Sequence, residues 1–414
     1  MKLIVIDTSY TLEDVYKKKL YQAIYSRDLG GFFHKVWSVH PFASLVTGSK
    51  WSKKYGKYKK YKLNKKHIFI EAKVGRYNFL KFIPILNFIF SQIELFFFLK
   101  RLIFKENIDC IKSSDPLYNS LFAYLLSKTT NKPFLVRVSG NFDKIYKDTK
   151  KPIMKKLFLF RFIEKIIERF IFKNADFVIA PNKDNLNYAF KNGLQKIKGK
   201  VVRYGSLISK DHLIKPSLRR KSNFFKKELN INSKNKILIY VGRLEKVKRV
   251  LDLVTIYQKL KNKSVKLLIV GTGSLKNQIK KKIIKNKLQN NILLLGEKNQ
   301  HWLSKCLPNC SCFIATHTGR ALAEASFAGL PVAGYNIDWH SEIIENNKNG
   351  FLVRPGEKTK LAKSILKIIN NKILSKKFSR NIRYKAEKLL SPVKIEKIEI
   401  ECFKKILTSN YGKG

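Results

Sequence analysis

Short apolar runs alternate with longer helix-like segments along almost the whole chain of 414 residues, and this alternation narrows the possible folds more than any other feature. The runs of the first half are KLIVID, KPFLVRVS, ADFVIAP and KVVRYG; those of the second half are KILIYVG, VKLLIVG, NILLLG, CFIAT and LPVAGY. Runs that are apolar throughout are typical of strands covered on both faces. Strands that alternate with helices form parallel sheets. The two series predict an α/β chain with two doubly wound domains.

Between the two series, residues 206–235 are polar and basic and contain few strand-forming residues. We interpret them as a linker with a short helix. The N-terminal domain is then expected at residues 1–205 and the C-terminal domain at residues 236–375. Residues 376–414 are rich in Lys and have a helical period, and we expect them to pack back toward the N-terminal domain.

Basic residues greatly outnumber acidic ones: 85 Lys and Arg stand against 29 Asp and Glu, a formal net charge of +56. Such an excess favours an anionic partner, such as nucleic acid, an acidic membrane or a phosphorylated ligand. A codon bias toward A and T would enrich Lys, Asn, Ile and Phe as well, so the charge alone identifies no partner. Because no nucleic-acid-binding module is recognisable, a nucleic-acid-binding protein is only a remote alternative, and no nucleic-acid partner is expected.

The five cysteines are too few and too scattered for the disulfide framework of a secreted protein. The C-x3-C-x-C spacing of Cys306, Cys310 and Cys312 matches no metal site, and small buried residues are the simpler interpretation. The first residues, MKLIVIDTSY, lack a signal-peptide pattern, so a reducing cytoplasm is the expected compartment.

Two segments are candidates for membrane contact. Residues 82–99, FIPILNFIFSQIELFFFL, are strongly apolar but include Pro84, Asn87, Gln92 and Glu94, whereas a spanning helix needs about 20 mostly apolar residues. An ordinary core-facing helix is an equal alternative there. In residues 155–173, KKLFLFRFIEKIIERFIFK, apolar positions recur every three or four residues with basic residues between them, which is typical of a helix lying on anionic lipid. We reject a spanning helix for both and expect peripheral attachment to an anionic membrane, at the inner face of the cell membrane, through the first domain.

The segment KILIYVGRLEKVKRVLDLV predicts a strand, a tight turn at Gly242 and then a helix. Arg243 and Lys248 follow the strand, and ligands bind at the carboxyl edge of an open parallel sheet. Two cations near a helix N-terminus suit a diphosphate. A solvated basic turn is the alternative.

The segment CFIATHTGRALAEASFAGLPVAGY predicts a strand, a loop from His317 to Arg320, and a short helix that ends at Gly329. Gly319 permits unusual backbone dihedrals, and we expect it to expose backbone amides at the helix N-terminus. Glu324, one turn into the helix, could accept hydrogen bonds from a ribose diol; an exposed helical Glu is the alternative.

Taken in order, the blocks VGRLEKVK, LLIVGTGSLK, NILLLGEKNQHWLSKCLPNCSCFIAT, GRALAEASFAGLPVAGY and NGFLVRPGE resemble the donor domain of GT-B glycosyltransferases, specifically glycosyltransferase family 4. The resemblance covers about residues 235–370. The first half is similar more loosely, through DCIKSSDPLYNSLFAYLLSKTTNKPFLVRVSGN and ADFVIAPN. It implies the GT-B architecture, in which two Rossmann-like domains face a central cleft.

The resemblance implies roles for individual residues. Arg243 and Lys248 match the catalytic cations that hold the donor diphosphate, and Glu324 matches the second Glu of the family's Glu-x7-Glu motif, which binds the ribose. The first Glu of that motif falls on Thr316, a departure for which His317 is the candidate replacement. Gly242, Thr316, Gly319 and Arg320 complete the expected donor site. A further departure is Arg249, which stands where the family usually has Gly.

The resemblance further implies a hexosyltransferase that uses a nucleotide sugar, linked to UDP or GDP, with retention of configuration and with neither a metal nor another cofactor. The expected acceptor is a lipid-linked glycan or a polysaccharide of the cell surface. Its candidate binding residues lie in the first domain: Gly30, Gly31, Ser139, Gly140, Asn141 and Asp143. The alternative is a catalytically impaired relative that binds a nucleotide sugar or a partner. A nicotinamide dehydrogenase is disfavoured because VGTGSLK stops short of G-x-G-x-x-G.

Overall fold

The computed structural model describes residues 1–46, 54–203, 208–221, 223–262 and 264–411. It divides into two compact units, one formed by Met1–Arg203 with Ile395–Gly414 and the other by Tyr204–Lys394. Each unit is built around one sheet of mostly parallel strands.

The first unit has an eight-stranded sheet in the order β3-β4-β2-β1-β5-β6-β7-β8, in which only β3 runs antiparallel to its neighbour. Its strands are β1 (Lys2–Ile6), β2 (Lys35–His40), β3 (Lys59–Lys62), β4 (His67–Glu71), β5 (Cys110–Ser113), β6 (Phe134–Arg137), β7 (Phe177–Ala180) and β8 (Gly199–Val201). The run KVVRYG contributes only its first residues to β8. Strands β2, β3, β4 and β5 are additional to the runs identified in the sequence.

Helices cover both faces of this sheet, which explains the uninterrupted apolarity of the strands. The first eight are α1 (Leu12–Lys17), α2 (Tyr21–Tyr25), α3 (Ala43–Val46), α4 (Pro84–Lys105), α5 (Tyr118–Thr130), α6 (Phe142–Thr149), α7 (Arg161–Asn174) and α8 (Lys183–Lys191). On one face, Ile4 of β1 shares a buried cluster with Leu99 of α4 and Phe122 of α5.

Helix α4 has two different halves. Its C-terminal half buries Leu95, Leu99, Leu102 and Ile103, as an ordinary core-facing helix does. Its N-terminal half leaves Ile85 and other apolar side chains exposed. No helix in the described ranges is long and apolar enough to cross a membrane.

The second unit has a six-stranded, fully parallel sheet in the order β11-β10-β9-β12-β13-β14. Its strands are β9 (Lys236–Val241), β10 (Val265–Val270), β11 (Ile292–Gly296), β12 (Cys312–Ala315), β13 (Val332–Tyr335) and β14 (Gly350–Val353). Its helices are α9 (Lys210–Leu213), α10 (Pro216–Arg219), α11 (Phe224–Leu229), α12 (Asp252–Leu260), α13 (Lys276–Lys285), α14 (Gln300–Cys306), α15 (Arg320–Phe327), α16 (His340–Ile343), α17 (Lys358–Asn370) and α18 (Lys372–Leu389).

The last helix, α19 (Pro392–Tyr411), belongs to the first unit from Ile395 onward. Its buried Phe403 packs edge-to-face on Phe33, with ring centroids 4.9 Å apart. Both rings share a cluster with Leu3 and Val5 of β1, the residues that alternate with Ile4 and therefore point to the other face of the sheet.

Candidate functional site

The strand order reverses once in each sheet, and the residues that follow the strands at these points form the candidate sites. In the second unit the reversal lies between β9 and β12, because β10 and β11 extend the sheet on one side and β13 and β14 on the other. In the first unit it lies between β1 and β5. Ligands of open parallel sheets bind outside the carboxyl ends of the strands at such a switch point. The loops after β9 and β12 are thus brought together, as the sequence predicts.

The loop after β9 passes Gly242 and Arg243, forms a 3-10 turn at Lys246–Lys248 and leads into α12. The guanidinium of Arg243 is exposed, and the structure gives it no ion-pair partner among the described residues. This loop is packed against the loop after β10. A Cβ on Gly271, where φ is +133°, would lie 2.0 Å from the Gly242 carbonyl oxygen, so the close approach requires glycine there.

Lys248 bridges the two loops. Its Nζ donates to the Thr318 carbonyl oxygen over 2.8 Å and lies 3.2 Å from His317 Nδ1. Burial and the nearby Arg243 lower the pKa of Lys248, while Asp338 opposes the shift. The ammonium is therefore half-buried at the switch point and faces the loop that leads into α15.

Thr316 occupies the position of the missing glutamate and has a structural role there. It is fully buried, and its hydroxyl donates to the Lys248 backbone carbonyl over 2.8 Å. Arg249, the other departure, has a φ of +52°. This is the left-handed region that favours glycine, which accounts physically for the glycine usual at that position.

A carboxylate that the sequence did not reveal lies beside this pair of loops. Asp338 follows β13 with a φ of +48°, an uncommon conformation for a residue other than glycine. Its Oδ2 accepts a hydrogen bond from the Thr318 hydroxyl over 2.8 Å and lies 4.0 Å from His317 Nε2. Burial and the Lys248 charge lower the pKa of His317, so its imidazole is neutral near pH 7. His317 Nδ1 faces the Lys248 ammonium, and Nε2 faces Asp338.

The N-terminus of α15 is open. Gly319 is the N-cap residue, and no side chain among the described residues caps the helix. The first amides of a helix have no intrahelical partner and carry the positive end of its dipole. Gly319 does not use the conformational freedom of glycine, because its φ of 177° is extended. A Cβ at Gly319 would meet nothing within 4 Å, so the N-cap position itself is not crowded.

Glu324 lies one turn further on and is buried, with 2 % of its surface exposed. Burial raises the pKa of its carboxyl, and the Arg320 guanidinium opposes this shift from 2.9 Å (Nε to Oε1). The neighbouring groups assign the Gln300 amide the orientation in which its nitrogen donates to Glu324 Oε1 and to His212 Nε2, each over 2.9 Å, and its oxygen accepts from Arg320 over 3.2 Å. The interpretation of Glu324 as an exposed helical residue is therefore wrong.

Gln300 and His212 are residues that sequence reasoning did not single out. Burial lowers the pKa of His212 to about 4, so its ring is neutral. In the assigned orientation of the Gln300 amide, His212 Nε2 accepts from the amide nitrogen. Gln300 stands inside the block NILLLGEKNQHWLSKC that supports the family resemblance, but its position alone does not reveal which side chain it holds.

The residues predicted for the acceptor divide between the two edges of the first sheet. Gly30 and Gly31 precede β2 and lie at the amino ends of the strands, where the His34 amide donates to the Met1 carbonyl oxygen. A Cβ on Gly30 would lie 2.0 Å from Glu396 of α19. They are thus at the edge opposite to the switch-point loops, because the turn that contains them enters β2 rather than leaving β1.

Gly140 and Asn141 follow β6 and lie at the carboxyl edge. Asn141 caps α6, accepting from the Lys144 amide over 3.2 Å. Asp143 is held by ion pairs to Arg161 over 3.0 Å and to Lys165 over 2.6 Å. Asn141 and Asp143 are therefore engaged in local structure.

A cavity of about 450 Å³ opens at the switch point of the first unit. Its polar lining comes from the loops after β1, β5 and β6: Thr8, Ser9, Ser114, Asp115 and Ser139. Phe42, Phe142 and the segment from Ile153 to Leu157 supply the apolar lining and two lysines.

Asp115 is the acidic residue among those that line this cavity. Burial raises the pKa of its carboxyl to about 7, and Asp7 adds to the shift, while hydrogen bonds from Leu117 and Asn119 oppose it. The sequence signal was available, because Ser114 and Asp115 directly follow β5 in the block DCIKSSDPLYN.

The described ranges contain no group of three or more His, Cys, Asp or Glu side chains that could hold a metal ion. The five cysteines are free, and Cys306 Sγ lies 3.9 Å from Cys310 Sγ.

Comparison with known proteins defines the class to which this architecture belongs. The model of the family described as Glycosyl transferases group 1 matches residues 221–385. Anabaena HepE in complex with UDP superposes with a TM-score of 0.71 at 16% identity, covering 98% of this chain and 100% of HepE. The structure of HepE with UDP-glucose gives a TM-score of 0.67 over the same shares, also at 16% identity. The two parallel-sheet units therefore have the GT-B glycosyltransferase fold, which confirms the predicted fold class.

Two curated relatives are similar in sequence over part of their length. Poly(ribitol-phosphate) alpha-N-acetylglucosaminyltransferase of Staphylococcus aureus (strain COL) is 30% identical over 155 residues, 36% of this chain and 31% of the relative. N-acetyl-alpha-D-glucosaminyl L-malate synthase of Bacillus anthracis is 24% identical over 242 residues, 52% of this chain and 64% of the relative. The matches thus span less than two thirds of either relative's own length. The chain therefore shares the GT-B fold, and residues 221–385 are similar to the Glycosyl transferases group 1 family.

Proposed function

We propose that the chain is a glycosyltransferase of family 4 that transfers a hexose from a UDP- or GDP-linked donor to a lipid-linked or polysaccharide acceptor in surface glycan synthesis. The single observation that carries the proposal is the arrangement around the β9–β12 switch point. There, two cations, an open helix N-terminus and a buried carboxylate follow neighbouring strands, in the order that a phosphate and a ribose would need.

Each part of a nucleotide-sugar donor has a matching group at this switch point. Glu324, held by Arg320 and Gln300, is the acceptor for the ribose hydroxyls. The exposed Arg243, the Lys248 ammonium and the uncapped amides of α15 suit the diphosphate. UDP is favoured over GDP because the HepE structures contain UDP and UDP-glucose.

Asp338 and His317 supply the contacts to the sugar in this proposal. Thr316 cannot provide the carboxylate expected at its position, whereas the Asp338 carboxylate reaches the same loop through Thr318. An ionised carboxylate accepts hydrogen bonds from two sugar hydroxyls at once, and the neutral imidazole of His317 can donate one.

Departure of the nucleoside diphosphate builds negative charge on the β-phosphate and positive charge on the sugar ring. Arg243, Lys248 and the α15 amides are preorganised to stabilise the leaving group, and the loss of one such donor typically costs about 2.7–4 kcal/mol of barrier. The departing phosphate oxygen can take the proton of the acceptor hydroxyl from the same face of the sugar. Retention of configuration without a metal follows from this proposal.

The acceptor is assigned to the cavity of the first unit. Its polar floor at Thr8, Ser114 and Asp115 suits sugar hydroxyls, and Lys155 and Lys156 at its wall suit a phosphate. A glycan acceptor agrees with the name of the S. aureus relative, which acts on poly(ribitol phosphate). We place the reaction at the cytoplasmic face of the cell membrane, where a lipid-linked acceptor would be held.

The proposal is tested first by binding. A thermal-shift panel of UDP, GDP, ADP and CMP is run on the wild type, on Arg243→Ala and on a matched control, Arg380→Ala, an exposed arginine on α18 of the same unit. A ligand that binds only the folded state raises stability by about 2.7 kcal/mol at a hundredfold excess over its Kd. One nucleoside diphosphate should raise the melting temperature of the wild type and the control but not of Arg243→Ala.

A shift with none of the nucleotides would contradict the donor site. A shift followed by no turnover of any nucleotide hexose would favour the alternative, a chain that binds a nucleotide sugar or a partner without transfer. The departure at Thr316 is the specific observation that keeps this alternative under test.

A further inference from the structure

In the N-terminal half of α4, the side that faces the protein interior is polar and the side that faces solvent is apolar. It buries Asn87, Ser91 and Gln92, which are at most 8 % exposed. On the opposite side, Ile85, Ile89 and Ile93 are 75 %, 45 % and 47 % exposed and lie four residues apart, in one stripe along the helix. A helix on a water-facing surface normally shows the opposite distribution.

Hydrogen bonds fix this orientation. Asn87 accepts from the Arg76 and Tyr77 amides over 2.6 and 2.8 Å and donates to the Tyr77 carbonyl oxygen over 2.7 Å. Ser91 donates to the Lys73 carbonyl oxygen over 2.7 Å, and Gln92 to the Pro41 carbonyl oxygen over 2.9 Å. A rotation of α4 that turned the isoleucines inward would break these hydrogen bonds and leave the backbone partners unpaired, which is unfavourable. The exposed stripe is therefore built into the fold.

The apolar exposure extends on both sides of the stripe. The 3-10 turn Phe79–Phe82 precedes α4 and leaves Phe82 82 % exposed. At the start of α7, Phe160 and Phe162 are 57 % and 63 % exposed. Both helices pack on α5, as the ring pairs Phe96–Phe122 and Tyr124–Phe170 show, at 6.1 and 5.0 Å between centroids.

These segments lie at the edge of the sheet where the acceptor cavity opens. Helices α4 and α7 lead directly into β5 and β7, so their C-terminal ends adjoin the amino ends of the strands and their N-terminal ends lie at the carboxyl edge. Phe42 of the cavity lining contacts Phe88 of α4 at 6.3 Å between ring centroids. The cavity-lining segment from Ile153 to Leu157 runs directly into the exposed Leu159 and Phe160.

Positive charge surrounds this apolar surface. Residues 73–105 contain six basic residues and a single acidic one, Glu94, which is paired with Arg76 over 2.7 Å. Residues 144–156, KIYKDTKKPIMKK, contain six lysines and one aspartate. A chain of net charge +56 repels a second copy of itself, whereas an anionic surface attracts it. Clustered lysines beside an apolar helix face bind anionic lipid.

We infer that the apolar-basic edge, formed by residues 79–93 and 155–166, docks on an anionic lipid bilayer. The apolar side chains enter the boundary between headgroups and acyl chains, and the lysines contact lipid phosphates. The docking brings the mouth of the cavity to the membrane surface, which suits an acceptor with a lipid anchor. The inference deepens the membrane attachment proposed above and rests on the proposed function only for the identity of the acceptor.

Vesicle flotation tests the docking without requiring transfer activity. The full chain is mixed with vesicles of phosphatidylcholine alone or with 30 mol% phosphatidylglycerol as a test composition, at low and high salt. The variant Phe82→Ser/Ile85→Ser removes two exposed side chains, and Ile373→Ser, which changes an 84 % exposed isoleucine on α18 of the second unit, is the matched control. Because no packed side chain is changed, both variants should melt at the wild-type temperature.

The wild type and Ile373→Ser should float with anionic vesicles at low salt, and the partition coefficient of Phe82→Ser/Ile85→Ser should fall at least tenfold. Failure of the wild type to float, or equal flotation of both variants, would overturn the inference. A dimer seen by analytical ultracentrifugation that is lost only in Phe82→Ser/Ile85→Ser would overturn it in favour of a second copy. Nucleotide-induced thermal shifts measured on the same samples separate the two proposals, because donor binding does not depend on the edge.

Discussion

Replacing Glu324 with glutamine keeps the shape of a buried side chain and removes its charge, which makes it the sharpest perturbation of the candidate donor site. The carboxylate is 2 % exposed and pairs with Arg320 Nε over 2.9 Å. A hydrogen bond from a ribose hydroxyl to a charged group contributes about 1.5–3 kcal/mol, so its loss should raise the Kd for the nucleoside diphosphate about 10- to 150-fold. The fold should survive, because burying a neutral amide costs less than burying a carboxylate.

The assay is isothermal titration calorimetry arranged as a double-mutant cycle. Wild type and Glu324→Gln are each titrated with the nucleoside diphosphate and with its 2′,3′-dideoxy analogue, which lacks both ribose hydroxyls. If Glu324 binds the ribose, removal of the hydroxyls should weaken binding to the wild type about 10- to 150-fold and hardly affect binding to the variant.

The matched control is Glu387→Gln on α18. Glu387 also pairs with an arginine four residues earlier, Arg383, over 2.7 Å, but its side chain is 49 % exposed. This variant should bind both nucleotides as the wild type does. Equal losses for the analogue in the wild type and in Glu324→Gln would refute the assignment of the ribose to Glu324.

Three further predictions concern the cations, the sugar contacts and the acceptor cavity. Lys248→Ala should lower kcat about 10²- to 10³-fold, through lost stabilisation of the leaving group, with a smaller effect on donor Kd; steady-state kinetics with equal losses in both would indicate plain ground-state binding. Asp338→Asn should raise the KM for the nucleotide hexose about tenfold while the Kd for the nucleoside diphosphate stays constant, since the lost charge faces the sugar; a matching rise in that Kd would contradict the role of Asp338. Because the pKa of Asp115 is raised to about 7 in the folded state, protonation of this carboxyl contributes to the free energy of unfolding. This contribution is fully present below about pH 4 and is lost as the pH rises through about 7. Thermal melts of Asp115→Asn and wild type at pH 5 and pH 8 should therefore show the variant gaining on the wild type at pH 8, and an unchanged difference would refute the pKa shift.

The sequence by itself determined the class of fold and the two loops of the candidate donor site. Continuous apolar runs predict buried parallel strands, because a strand that is covered on both faces needs apolar residues at every position. This signal is local and does not depend on the rest of the fold. Each loop of the candidate donor site follows the end of a strand: Gly242, Arg243 and Lys248 come after β9, and Gly319 and Glu324 come after β12. Their position at the carboxyl edge therefore follows from their order along the chain. The end of α15 was likewise predictable, since Gly329 has a φ of +62° just beyond the helix.

Only the tertiary structure decided which residues meet. Asp338 reaches Thr318 over twenty positions, and His212 reaches Gln300 over eighty-eight, through packing that no local pattern encodes. Gly30 was a candidate for acceptor binding, but it lies at the edge of the sheet opposite to the switch-point loops, because its turn enters a strand. The sequence of α4 was compatible with a core-facing helix and with a lipid-facing helix. Hydrogen bonds at its buried polar residues determine which side of the helix is exposed. Contacts between distant segments depend on strand order and helix orientation, and these are set by the whole fold.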